Sequence, residues 1–166
     1  MMKIAICQIN PTMGDFPGNR DKILSFYREA VKKGADLIVF PEMVITGYPP
    51  QDLLLERDFV QENVEILEDI SNQVTVPAIL GYIREEKSAL YNSGAVCANG
   101  TVIYTYDKIL LPTYDIFDED RYFTPGKTQG VFELELNGKR RKMGIQICED
   151  LWDHGYECKV TNLQKR

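Results

Sequence analysis

An α/β fold is predicted by three features of this 166-residue sequence: wholly apolar runs, stretches of helical periodicity between them, and two Asn-Gly pairs that join later apolar runs. Residues 3–9 are apolar and β-branched, the composition of a strand. Ile23, Leu24, Tyr27, Ala30 and Val31 follow at helical spacing within residues 20–33, and Gly34 supplies the stop. Leu37-Ile38-Val39-Phe40 is apolar at every position, as a strand covered on both faces requires, and the short turn after Gly34 favours a parallel β-α-β unit. Pro41 then breaks the chain. Residues 43–57 read as a loop around Gly47-Tyr48-Pro49-Pro50 with a short helix at 52–56. Phe59, Val60, Val64, Leu67 and Ile70 give residues 59–72 one apolar helical face. Val76 to Ile83 is a third strand. Asn99-Gly100 suits a hairpin turn between strands at 94–98 and 101–106, and Asn137-Gly138 one between 131–136 and 140–147. Residues 107–130 show little regular patterning, and a loop of that length is uncommon in a compact domain unless it has a functional task.

The length suits one domain, without internal repeats, low-complexity tracts or an interdomain linker. With 44% hydrophobic and 27% charged residues the composition is that of an ordinary globular protein, and it names no function. A net charge of −6 removes the phosphate-neutralising surface that nucleic-acid binding needs. The one basic run, Lys139-Arg140-Arg141-Lys142, follows Asn137-Gly138 and reads as a solvated hairpin tip. Cys7, Cys97, Cys148 and Cys158 are widely spaced and only one histidine, His154, is present, so no metal site is expected. No apolar run approaches the ~20 residues of a membrane span, and no signal-peptide core occurs at the N-terminus. The expectation is a cytoplasmic protein with reduced thiols.

Three apolar strands end near a chemically capable residue: 37–40 leads to Glu42, 101–106 to Lys108, and 142–147 to Cys148. Reacting groups in α/β architectures gather beyond the carboxyl ends of adjacent strands, so these side chains are expected to share a pocket. A free thiol has a pKa of about 8.5; a neighbouring cation lowers it and a nearby base can take the proton. Lysine and glutamate can supply both functions. His154, six residues past Cys148, is the one candidate for a cysteine–histidine arrangement. Taken singly, Cys148 also fits a buried apolar thiol, Glu42 a surface carboxylate and Lys108 a solvated charge. Packing or exposure accounts for Cys7, Cys97 and Cys158.

Phe40-Pro41-Glu42, Tyr106-Asp107-Lys108-Ile109-Leu110-Leu111-Pro112 and Ile147-Cys148-Glu149-Asp150 together resemble, in order and spacing, the signature blocks of the nitrilase superfamily. Within it, KILLPTYDIFDEDRYFTPG at 108–126 and CEDLW at 148–152 are similar to the glutaminase domain of glutamine-dependent NAD synthetases. The resemblance implies a four-layer α-β-β-α sandwich, incomplete in residues 1–166, with the rest of the hydrolase domain and a synthetase domain absent from this chain.

It implies Cys148 as nucleophile, Glu42 as general base, Lys108 as the cation that stabilises the oxyanion, and Glu119 in a supporting role. The backbone N–H of Glu149 is expected to complete the oxyanion hole. Tyr114 and Glu149 are expected to hold the substrate glutamine, with Tyr48 lining the pocket, whereas Asp115, Asp118 and Asp120 read as solvated loop residues. No metal and no cofactor is expected in this domain; ATP and magnesium belong to the absent synthetase domain. The expected partners are glutamine, that synthetase domain and further copies of the chain, with neither nucleic acid nor membrane among them. Two other readings stay open: a free-standing amidase or carbamoylase of the same superfamily, and a non-catalytic module whose unfinished sheet pairs with another chain.

Overall fold

The computed structural model describes residues 1–155. One five-stranded sheet runs in the order β1 (Ile4–Ile6), β2 (Leu37–Val39), β3 (Ala78–Glu86), β4 (Ala89–Ala98), β5 (Thr101–Asp107). β1, β2 and β3 are parallel neighbours, and β4 and β5 continue as antiparallel ones. A separate hairpin, β6 (Gly130–Leu136) and β7 (Lys139–Ile145), pairs Leu134 with Arg141.

Side-chain alternation explains how the sheet is covered on both faces. Ile38 joins a core with Leu80, Tyr82 and Ala95 that is roofed by helices α1 (Phe16–Lys32) and α2 (Arg57–Asn72) through Ile23, Leu24, Tyr27, Leu67 and Ile70. Leu37 and Val96 face the other way, onto Phe132, Leu134 and Leu136 of β6. The result is helices, sheet and hairpin in three layers; the second outer helical layer of the expected sandwich does not occur among the described residues. The basic run lies exposed on β7, where Lys142 and Arg140 sit opposite Glu133 and Glu135. No helix among the described residues is long and apolar enough to cross a membrane.

At three places along the chain the structure departs from the sequence expectation or adds to it. α1 begins at Phe16 rather than near residue 20, because Asp15 caps it by accepting from Gly18 N at 3.0 Å, and Pro17 in the first turn gives up only an N–H that would have no helical partner. β3 and β4 form a long hairpin, joined by Lys87-Ser88 with φ of 50° and 65°. The polar residues 84–88 concealed it, since they extend beyond the helix-covered part of the sheet. Residues 107–130 are largely irregular, as expected, but are fixed by a 3₁₀ turn at Glu119–Arg121 and by Thr124 N donating to Leu90 O at 2.7 Å.

β3 outruns β2, whose pairing with it ends at Ile79, so Ile83 has no strand on that side. The Asn63 side chain of α2 takes the strand's place, donating to Ile83 O at 2.6 Å and accepting from Ile83 N at 3.1 Å. The chain leaving β2 crosses directly over Gly81, where a Cβ would lie 2.3 Å from Met43 N and 2.7 Å from the Glu42 carbonyl carbon. Gly81 therefore sets how closely the Glu42 backbone approaches the sheet. Gly81→Ala is expected to destabilise the protein by about 2 kcal/mol, read by urea unfolding, because the methyl meets backbone that cannot rotate away.

Candidate active site

Glu42 follows β2, and Lys108 follows β5, where Lys108 N donates to Asn92 O at 2.8 Å and extends the sheet ladder by one bond. The end of β5 is clamped just before it: Arg84 grips Asp107 through Nε at 2.9 Å and a second nitrogen at 2.6 Å, and Ser93 Oγ donates to Asp107 Oδ1 at 2.6 Å. β2 and β5 are not adjacent, contrary to the sequence expectation, and β7 lies in the other sheet. Long side chains and the loops beyond the strands close the gap.

Lys108 is 1% exposed. Its Nζ donates to Glu42 Oε1 at 2.8 Å and to Glu119 Oε1 at 2.9 Å. Burial opposes the ammonium charge, but the two carboxylates outweigh it and hold the Lys108 pKa above its ordinary value. Burial also raises Glu119, against the pull of Lys108. Tyr48 OH donates to Glu119 Oε1 at 2.9 Å, and burial followed by the Glu119 charge raises the Tyr48 phenol.

Cys148 is exposed, and lines with Glu42 a cleft floored by Leu37, Val39 and Ile79 and walled by residues 143–147. Its backbone sits at φ 47°, a left-handed conformation that costs a non-glycine residue about 1 kcal/mol or more. Partial burial, then the Glu42 charge, push its thiol above the ordinary cysteine value, and Lys108 pulls the other way without prevailing. Contrary to the sequence expectation, the net effect of this environment is a raised thiol pKa, not a lowered one.

Tyr114 is half-exposed and its OH donates to Glu149 Oε2 at 2.8 Å, which raises the phenol pKa. Its ring meets Phe117 edge-on at 5.6 Å, and Phe117 in turn lies 6.4 Å from Tyr48. Thus Glu42, Lys108, Glu119 and Tyr48 form one bonded cluster, Tyr114 and Glu149 a second, and Cys148 feels the charges of Glu42, Lys108, Glu119 and Glu149. Cys7 and Cys97 are buried in the core, and burial pushes Cys97 up to about 12. The side chain of His154, like Cys158, lies outside the described residues.

The carbon-nitrogen hydrolase family model matches residues 3–156. The chain belongs to the carbon-nitrogen hydrolase family. Among this hydrolase's relatives, a glutamine-dependent NAD(+) synthetase of Thermotoga maritima is 39% identical over 155 residues, covering 92% of the chain and 26% of the relative. The structure of a glutamine-dependent NAD+ synthetase from Acinetobacter baumannii superposes with a TM-score of 0.83 at 35% identity, over 91% of this chain and 28% of that one. An amidase from Nesterenkonia shares the fold, with a TM-score of 0.71 at 22% identity over 84% of this chain and 53% of that one. The hydrolase chain thus spans about a quarter of the length of the synthetase relatives it matches.

Two residues of the site escaped the sequence reading. Asn92, 1% exposed on β4, reaches Glu42 Oε1 at 2.6 Å and Glu119 Oε2 at 3.3 Å; the available signal was a polar Asn-Ser pair inside an otherwise apolar strand. Asp150, fully buried, accepts from Ile109 N at 3.1 Å, Leu110 N at 2.9 Å, Ile147 N at 3.0 Å and Tyr106 OH at 2.7 Å. It ties the segment after Lys108 to the residue before Cys148. Asp150→Ala leaves buried donors unpaired, so a loss of about 4 kcal/mol in thermal or urea unfolding is expected.

Proposed function

We propose that this carbon-nitrogen hydrolase domain releases ammonia from glutamine, with Cys148 as nucleophile, Glu42 as general base and Lys108 as the oxyanion-stabilising cation. The single observation that carries this reading is the buried Lys108 ammonium held between Glu42 and Glu119 beside an exposed thiol. Similarity to named glutamine-dependent synthetases supports glutamine as the amide.

The thiol passes its proton to Glu42 as the sulfur attacks the amide carbon. The resulting oxyanion faces Lys108 Nζ and the Glu149 N–H, and a preorganised donor of this kind typically lowers the barrier by about 3 kcal/mol. Glu42 then hands the proton to the departing nitrogen, ammonia leaves, and a glutamyl thioester remains. Water, deprotonated by Glu42, attacks the thioester carbon; the sulfur leaves and recovers its proton, and glutamate is released. Glu119 holds Lys108 and, through Tyr48, ties the 48–50 loop to the site. Glu149, oriented by Tyr114, accepts hydrogen bonds from the substrate ammonium group.

The synthetase relatives further support a longer protein in which the ammonia amidates deamido-NAD on a second domain, where ATP and magnesium act; the hydrolase domain itself uses no cofactor. Assembly into homo-oligomers and a cytoplasmic setting belong to the same proposal.

The test is ammonia release from glutamine and from a panel of simple amides and carbamoyl compounds, using the protein from the complete reading frame. Glutamine is expected to be preferred, and preference for another amide would favour a free-standing amidase. Cys148→Ala abolishes turnover, and Glu42→Gln lowers kcat/KM by about 100- to 10,000-fold. Because burial still raises the thiol pKa once the Glu42 charge is gone, the residual activity of Glu42→Gln is expected to climb with pH as thiolate forms without the base. Equal labelling of every cysteine by a glutamine-like electrophile, without selectivity for Cys148, would point instead to a non-catalytic module.

A further inference from the structure

Asn92 lies at the centre of the charged cluster, yet its amide neither takes nor gives up a proton in the pH range of the reaction. Its Nδ2 donates to Glu42 Oε1 at 2.6 Å, the same oxygen that accepts from Lys108 Nζ at 2.8 Å. Glu42 Oε2 accepts no hydrogen bond from any described residue. One carboxylate oxygen is therefore anchored twice and the other takes no such bond, in a residue that lines the same cleft as Cys148.

The orientation of the amide follows from its neighbours. Turning it over would aim the carbonyl oxygen at both Glu42 and Glu119, so electrostatics fixes the donor end towards the carboxylates. The consequence is that Asn92 Oδ1 is buried without a partner among the described residues. A residue kept only for packing would not carry that orphaned acceptor, since leucine has nearly the same shape and nothing to satisfy. Arginine or lysine there would add a second cation beside Lys108, whereas an amide supplies a donor without a charge.

We propose that Asn92 is a positioning residue that anchors the ionised Glu42 carboxylate through Oε1 and thereby assigns Oε2 as the atom that receives the Cys148 proton. The inference rests on the roles of Cys148 and Glu42 given above. Asn92 also accepts from Lys108 N through its backbone at 2.8 Å, so one residue sets the base and the cation together. The groups facing Glu42 are Lys108 beyond β5, Glu119 in its 3₁₀ turn, Tyr48 in the loop after β2, and Cys148 after β7. Without the amide, Glu42 loses one of the two hydrogen bonds that favour the charged form of its carboxylate.

The experiment measures the rate at which iodoacetamide alkylates Cys148, by mass spectrometry, from about pH 4 to about pH 9 in the complete protein. The wild type is expected to show an acid limb that Glu42→Gln removes. Asn92→Leu, which keeps the shape, moves that limb to higher pH by about one unit. Asn92→Asp adds a third carboxyl to the pair and moves it at least as far, and it tests the inference if the leucine variant does not fold. A limb that keeps its midpoint in a folded variant, with the rate lowered equally at every pH, is the signature of a merely structural role and overturns the proposal. Alkylation needs no glutamine, so a wild type that fails to hydrolyse glutamine yet shows the Asn92-dependent limb would reject the substrate and leave this inference standing.

Discussion

Burying an ammonium group costs several kcal/mol unless carboxylates meet it with good geometry, and at Lys108 this constraint organises the molecule. The two partners come from far apart in the chain, Glu42 at a separation of 66 residues and Glu119 at 11. Each must be delivered by a segment that is itself held in place. The loop between β5 and β6 therefore has to be ordered, and the loop leaving β2 has to lie close to the sheet. Tyr48, Asn92 and the 3₁₀ turn at Glu119–Arg121 serve the same requirement, because an unpaired charge at this depth would destabilise the fold it sits in.

The supporting framework has two halves. On the Glu42 side, Asn63 stands in for a missing strand at Ile83, and Gly81 admits the backbone of residues 41–43 at a distance no other side chain would allow. On the Lys108 side, Arg84 and Ser93 fix Asp107, and Asp150 joins the following segment to the end of the β7 connection. Hydrogen bonds to charged groups are the stronger ones, and here both clamps are carboxylates receiving several donors at once. Cys148, which lines the cleft, follows this anchored connection directly with a left-handed backbone.

The environment of Cys148 favours the protonated thiol over the thiolate. Burial and then Glu42 raise its pKa, and the opposing pull of Lys108, an ammonium already paired with two carboxylates, does not prevail. In the function proposed above, Lys108 is the stabiliser of charge that develops during reaction and Glu42 carries the proton. Tyr114 and Glu149, bonded to each other where Tyr114 meets Phe117, form a second cluster beside the first.

Local chemistry was written into the sequence. The apolar runs that became β1, β2 and β5, the two amphipathic helices, and the Asn-Gly turns at 99–100 and 137–138 were all legible, because period and turn preference are local properties. So was the family that the blocks around Glu42, Lys108 and Cys148 resemble. What only the tertiary structure decided was non-local: the β3–β4 hairpin through the polar residues 84–88, the burial of Lys108, the orientation of Asn92 between two carboxylates, and the four hydrogen bonds converging on the Asp150 side chain. Each depends on which groups arrive opposite one another in space, and a raised thiol pKa beside a lysine is likewise a balance of distances that residue order alone does not set.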